Sequence, residues 1–150
     1  RNTNMNTTIR AMTPADKDSV MEMMRVFYNS PAVLSNGSDE IFARDIEGCI
    51  SDNPYVEGYM FEQDGAVQGY GMAAKSFSTE YGRQCIWLED IYIKAEYRGL
   101  GIGSLFIDYI TKKYPDALLR LEVEEENARA VHVYKKSGFE FFEYKEMKKE

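Results

Sequence analysis

Apolar and polar positions alternate in some stretches of the chain and recur every three or four residues in others, and the switch between these periods lays out its elements. Thr7 to Met12 reads as a short strand. Thr13-Pro14-Ala15-Asp16 has the chemistry of a helix start: Thr13 caps, Pro14 takes the first turn, and Asp16 reaches back as a capping box. Val20, Met23, Met24 and Phe27 follow at helical spacing. Ser38 can cap a second helix, with Asp39 and Glu40 in its first turn. Its stripe is Ile41, Phe42, Ile46, Cys49 and Ile50, and Asn53-Pro54 ends it.

The period then shortens to two. Val56 to Gln63, a turn at Asp64-Gly65, and Ala66 to Lys75 read as a hairpin. Phe77 to Gln84 reads as a polar loop. Cys85 to Ile93 is apolar on both faces and is therefore expected as a central strand. Leu105, Phe106, Tyr109 and Ile110 return to helical spacing up to Pro115, and Leu118 to Val123 reads as a strand. Asn127 can cap a helix through Lys136, with Gly138 as its stop and Phe139 to Met147 as a final strand. The order β, α, α, β, β, β, α, β, α, β predicts an α/β (α+β) fold, a mixed sheet with helices on its faces. No repeat, low-complexity tract or long linker divides the chain, so residues 1–150 are expected to form a single domain. Arg1 to Asn4, ahead of Met5, read as a tag remnant or flexible extension.

Composition narrows the partners. The chain is 44% hydrophobic, enough for a sizeable core. Its 18 basic and 25 acidic residues leave a net charge of −7. That balance argues against nonspecific nucleic-acid binding and favours cations, polyamines among them. Cys49 and Cys85 form neither a disulfide framework nor a zinc signature, and no metal is expected. No apolar run approaches the ~18 residues of a membrane span, and nothing reads as a signal peptide. A cytoplasmic protein without membrane contact is the expectation.

The segment from Glu89 to Gly103 carries the chemistry: an apolar strand, a short polar turn, then Arg98-Gly99-Leu100-Gly101-Ile102-Gly103 opening a helix. Glycines let the backbone turn tightly and approach a ligand. The helix N-terminus offers unpaired N–H groups and a positive dipole, which suit a phosphate or pyrophosphate. Arg98 adds a fork of donors. A glycine-rich turn without a ligand is the plainer reading. A P-loop is ruled out because no Gly-Lys pair follows. A dinucleotide fingerprint from Gly99 meets Ser104 where it needs Gly or Ala, although Glu122 stands near the position of its ribose carboxylate.

Arg98-Gly99-Leu100-Gly101-Ile102-Gly103 resembles the Q/R-x-x-G-x-G/A acyl-CoA loop of the GNAT superfamily of N-acetyltransferases. Asn127 to Phe139 resembles that family's second motif, N-x-x-A-x-x-x-Y-x-K-x-G-F, and the element order fits over nearly the whole chain. Leu88-Glu89-Asp90 ahead of the loop further resembles the spermidine/spermine acetyltransferase branch. The resemblance implies a GNAT-like mixed, mostly antiparallel sheet whose central strand pair splays, with acetyl-CoA as co-substrate.

It also implies roles. The backbone from Arg98 through Gly99, Leu100, Gly101, Ile102 and Gly103 to Ser104 would hold the CoA pyrophosphate. The backbone of Ile91 and Ile93 would meet the pantetheine arm, and Ile91 N–H would face the oxyanion. Asn127 would cap its helix and touch the CoA arm. Tyr134, nearly two turns along that helix, would act as general acid to the thiolate; otherwise it is a packed tyrosine. Glu89 would be the base, directly or through water, and Asp90 the substrate anchor; otherwise either carboxylate sits at a splayed edge with a basic partner. Arg129, Lys135 and Lys136 lie where the ribose phosphate of CoA would come, or are ordinary surface charges. Glu122, Glu124, Glu125 and Glu126 read as a solvated face that could line the mouth for a polycation. His132 reads as a surface histidine, and Cys49 and Cys85 as core.

The implied function is transfer of an acetyl group from acetyl-CoA to a primary amine, a polyamine or another small amine, by direct attack. Alternatives are a catalytically inactive acyl-CoA-binding sensor, an acetyltransferase acting on a protein or peptide amine, and a nucleotide-binding module. A homodimer is left open.

Overall fold

The computed structural model describes residues 6–34 and 37–150, so the extension Arg1 to Asn4 lies outside the described residues. Among these residues, one sheet has the strand order β1-β2-β3-β4-β5: β1 is Thr8–Ala11, β2 Val56–Gln63, β3 Ala66–Ser78, β4 Arg83–Ile93 and β5 Leu118–Leu121. Neighbours from β1 to β4 are antiparallel, and β4 and β5 are parallel. The helices are α1 (Lys17–Tyr28), α2 (Asp39–Ile50), α3 (Ile102–Lys113) and α4 (Ala128–Lys136).

The helix starts follow their residues. Asp16 Oδ2 accepts from the N–H of Thr13 at 2.8 Å and its hydroxyl at 3.1 Å. The same carboxylate takes the Arg10 guanidinium at 2.8 and 2.9 Å, which fastens β1 to the entry of α1. Ser38 Oγ accepts from Ile41 N–H and Asn127 Oδ1 from Ala130 N–H, each satisfying one orphan donor. Gly138, at φ +99°, ends α4 in the left-handed region.

Each face of the sheet has its own core. Val20, Met23 and Met24 of α1 and Phe42 and Ile46 of α2 pack on Met60, Tyr70, Met72 and Tyr92. Ile102, Phe106, Ile107 and Ile110 of α3 pack on Tyr59, Phe61, Ala73, Ile86 and Leu88, with Tyr134 of α4 at the margin. Gly71 of β3 lets α3 sit close: a Cβ there would stand 2.6 Å from the Phe106 ring and 3.0 Å from that of Phe61.

Three expectations change. The polar loop is shorter than its composition indicates, because β3 runs to Ser78 and β4 begins at Arg83. β4 is one strand in from the edge, and β3 is the middle strand. Phe139 to Met147 forms no strand. β5 offers an edge of only four residues, and side chains anchor the segment instead. The Arg120 guanidinium carbon lies 4.6 Å from the ring centres of both Trp87 and Phe142, and Tyr144 donates to Glu80 at 3.0 Å.

Overpacking a filled core costs roughly 1–3 kcal/mol. Gly71→Ala should lower the urea midpoint by that much, and Phe106→Leu in the same chain should recover part of it. Independent, additive losses would show that the close approach of α3 does not depend on this glycine.

Candidate active site

The site begins where two strands part. β4 and β5 pair from Cys85↔Leu118 to Leu88↔Leu121, and there the ladder stops while β4 continues to Ile93. On its other side β4 stays paired with β3, with one irregularity: Met72 pairs with Asp90 and Ala73 with Leu88, so Glu89 has no counterpart. This is a β-bulge, which shifts the facing of every residue beyond it. Ile86 and Leu88 pack toward α3, and beyond the bulge so do Ile91 and Ile93. Asp90 and Tyr92 thereby turn toward α1 and α2.

The direction of the N–H groups follows. Lys94 N–H donates to Gln68 O of β3 at 2.9 Å. Alternation then points the N–H and C=O of Ile93 and Ile91 the other way, into the gap left by β5. The Ile93 carbonyl confirms it by accepting from Arg98 Nε at 2.8 Å. Through Nε, Arg98 ties its loop to the end of β4, while the side chain remains exposed.

At the gap's far end the glycine turn enters α3. Gly99 and Gly101 have φ of +79° and +87°, open to glycine at little cost. A Cβ on Gly103 would meet nothing within 4 Å, and one on Gly99 would stand 3.3 Å from Arg129 Nη2. The α3 first turn holds no acidic residue, so the unpaired N–H groups of Ile102, Gly103 and Ser104 face an uncompensated positive end. The turn thus sets the N-terminal end of α3 beside the Arg129 guanidinium. The side chain of Ile102 is core, and Leu100 packs beside it.

The other end of the gap is acidic. Glu89 is exposed at the bulge. Its carboxyl is raised by partial burial and by the charges of Asp90, Asp45 and Glu146. Asp45 of α2 is pushed up to about 6 by burial and Asp90, with Arg44 opposing. Glu122 rises to about 7 because its carboxyl shares a hydrogen bond with that of Glu146 and is partly buried. Asp90 does not meet the expectation of a substrate anchor: it is 2% exposed. Its Oδ1 accepts from Tyr28 at 2.9 Å and its Oδ2 from Tyr70 at 2.7 Å, so the carboxylate is turned into the protein and closed off from the gap. Hydrogen bonds to a charged group contribute ~1.5–3 kcal/mol each, against several for burying the ion. Burial raises the Asp90 carboxyl, and the hydrogen bonds from the two phenols oppose it.

Tyr134 lines a cleft of about 320 Å³ at the open edge, together with Trp87, Leu121, Glu122, Phe142 and Glu146. Burial raises its phenol, and its ring edge meets Phe139 with centres 6.1 Å apart. Asn127 caps α4 through its oxygen, leaving its amide nitrogen over. Glu125, Glu126, His132, Lys135 and Lys136 are exposed, as is Arg129 beside Gly99. Cys85 is buried, and burial beside Asp45 and Asp90 pushes the half-buried Cys49 thiol up to about 12.

Sequence reading passed over Asp45, Tyr28, Tyr70 and Glu146. Asp45 had left a signal: it lies three residues after Phe42 and four before Cys49, a carboxylate on an apolar stripe. Tyr70 meets Asp90 only through strand register, which sequence spacing does not carry.

Residues 18–139 match the model of the acetyltransferase (GNAT) family. The chain belongs to that family. Thialysine N-epsilon-acetyltransferase of Bos taurus is 47% identical over 79 residues, 51% of this chain and 46% of that protein. The chain thus spans about half the length of that relative. The Mus musculus protein of the same name is 32% identical over 149 residues, 88% of this chain and 83% of its own. Spermine/spermidine N(1)-acetyltransferase of Bacillus subtilis (strain 168) is 22% identical over 143 residues, 91% and 90% of the two chains. The fold matches the crystal structure of a possible acetyltransferase from Clostridium difficile 630 with a TM-score of 0.81 at 18% identity, over 96% of this chain and 97% of that one. Among the described residues no helix is long and apolar enough to cross a membrane.

Gly103 gives a clean test of the anion cradle. Gly103→Asp adds a side chain in open space and a negative charge at a helix N-terminus, which favours the fold. The variant should keep its melting temperature and bind acetyl-CoA at least ~10-fold more weakly by calorimetry, since charge repulsion replaces a backbone contact. Unchanged affinity would place the anion elsewhere.

The acidic end should show in stability. Asp45 and Glu122 hold protons more tightly in the folded chain than ordinary carboxyls do, so their contribution is full below the ordinary range and is lost as pH rises through about 6 and about 7. The melting temperature should fall between pH 5 and pH 8, and Glu122→Gln should flatten the upper part. A steady rise across that interval would contradict the cluster.

Proposed function

We propose that the protein moves the acetyl group of acetyl-CoA to the primary amine of a small acceptor carrying a second cationic centre, a polyamine or a lysine-like amine. The observation behind the acceptor is the set of Asp45, Glu89, Glu122 and Glu146 around the gap, with the buried Asp90 behind them, none of them in a salt bridge among the described residues. Acidic neighbours raise the carboxyls of Asp45, Glu89 and Glu122, and a cation relieves that repulsion. The relatives named for thialysine and for spermine and spermidine fit, since each of those molecules ends a flexible chain in a primary amine and carries further positive charge.

The residues present suit acetyl-CoA, which supplies an activated acyl carbon. In this reading the N–H groups from Gly99 to Ser104, with Arg129 beside them, hold the pyrophosphate. Ile91 and Ile93 offer N–H groups to the pantetheine arm, and the spare amide nitrogen of Asn127 meets it from α4. Ile91 N–H, fixed before the reaction, stabilises negative charge on the carbonyl oxygen. An acceptor amine near pKa ~10 arrives protonated, so Glu89 takes its proton, directly or through water. The Tyr134 phenol, kept protonated by burial, gives its proton to a thiolate whose acid is near ~8.5.

Release of free CoA thiol tests this. Spermidine or a diamine should give a higher kcat/KM than a monoamine of similar length, and the advantage should shrink with salt. Tyr134→Phe should lower kcat by ~10- to 10⁴-fold with little change in acetyl-CoA affinity, and Glu89→Gln should lose rate that high pH partly restores. Equal use of mono- and polyamines would remove the acceptor assignment. A wild-type rate in Tyr134→Phe, with chemistry limiting, would reduce that tyrosine to packing. No CoA release with any amine, despite tight acetyl-CoA binding, would favour a sensor.

A further inference from the structure

Asp90 is the most enclosed carboxylate of the site, and it lies directly beyond the bulge. Its two oxygens are held from two directions, by Tyr28 at the last position of α1 and by Tyr70 of β3. Tyr70 is fully buried and pairs with Tyr92, so its hydroxyl reaches along the sheet to the residue two positions before its partner. One side chain thus joins β4, β3 and α1.

The phase of β4 depends on that junction. Without the extra residue, the alternation of Ile86 and Leu88 would carry Asp90 onto the α3 side, among Ile102, Phe106 and Leu88. A carboxylate there would have no donor, which costs far more than the bulge. With the bulge, Asp90 meets two phenols, and Glu89 is left unpaired at the parting of the strands. We infer that Asp90, clamped by Tyr28 and Tyr70, is a positioning residue that locks the β4 bulge so that Glu89 is presented to the acceptor in the gap. The inference rests on Glu89 serving as the base.

The clamp also places a charge. The groups facing Glu89 are Asp90 on its own strand, Asp45 from α2 and Glu146 from the C-terminal segment; Glu122 beyond β5 and Tyr28 of α1 in turn feel Glu89. All are acidic, so taking the charge off Asp90 makes Glu89 easier to ionise. Each phenol favours the ionised form of Asp90, so losing one acts in the same direction with a smaller effect.

The test measures kcat against pH at saturating acetyl-CoA for Asp90→Asn and Tyr28→Phe, each alone and combined with Glu89→Gln, with melting temperatures alongside. Asp90→Asn should lower kcat by ~10- to 100-fold, leave the acetyl-CoA KM within about twofold, and move the acidic limb to lower pH. Tyr28→Phe should do the same more weakly, and it keeps the test open if Asp90→Asn does not fold. On the Glu89→Gln background either change should cost less than about threefold, because there is no base left to position. Full multiplication of the losses, or an acidic limb that stays in place, would make the clamp a stability feature and overturn the inference while Glu89 remains the base. A wild-type rate in Glu89→Gln alone would instead remove Glu89 as base, and the inference with it.

Discussion

β4 keeps its hydrogen bonds to β3 as far as its last residues but loses β5 after Leu88. A strand inside a sheet normally satisfies both of its edges, and unpaired backbone groups away from water are costly. Here the Ile91 and Ile93 N–H groups are turned toward a gap between two core-forming strands. The sheet's own pairing leaves these donors facing the gap, and in the proposed function they meet the arm of the co-substrate, with the glycine turn and the acidic mouth at opposite ends.

Those ends carry opposite charge. At one end lie the α3 N-terminus, the left-handed glycines and Arg129; at the other lie Glu89 and its acidic neighbours. This separation reconciles a net charge of −7 with an anionic co-substrate, because binding is decided by local field rather than by the sum. It also orients the reactants. In the proposed function an anionic co-substrate and a cationic acceptor are drawn to different ends of one gap, which brings the acyl carbon and the amine together between them. Tyr134, its phenol raised by burial, lines the cleft along β5 with Trp87, Glu122 and Glu146.

Most of the architecture was legible in local pattern. The capping residues Thr13, Ser38 and Asn127 and the stop at Gly138 stand where their chemistry placed them, because a cap depends only on neighbours in sequence. The parting of β4 and β5 came only through family resemblance. The bulge was invisible, since the extra residue at Glu89 shows only in the pairing with Met72 and Ala73. That one unseen residue changed the reading of Asp90 from an anchor in contact with substrate to a buried tie. Phe139 to Met147 misled in the opposite direction: its aromatics resemble a strand face, yet Phe142 serves the Arg120 stack instead.

The central claim is that the Ile91 and Ile93 amides are unpaired in the free protein and become paired with acetyl-CoA. Amide hydrogen exchange followed by NMR reads each of them separately. The account predicts rapid exchange at Ile91 and Ile93 beside a slow Tyr92, whose N–H faces β3, and strong slowing at both isoleucines when acetyl-CoA is added. Slow exchange at Ile91 and Ile93 in the free protein, or rates that acetyl-CoA leaves unchanged, would contradict it.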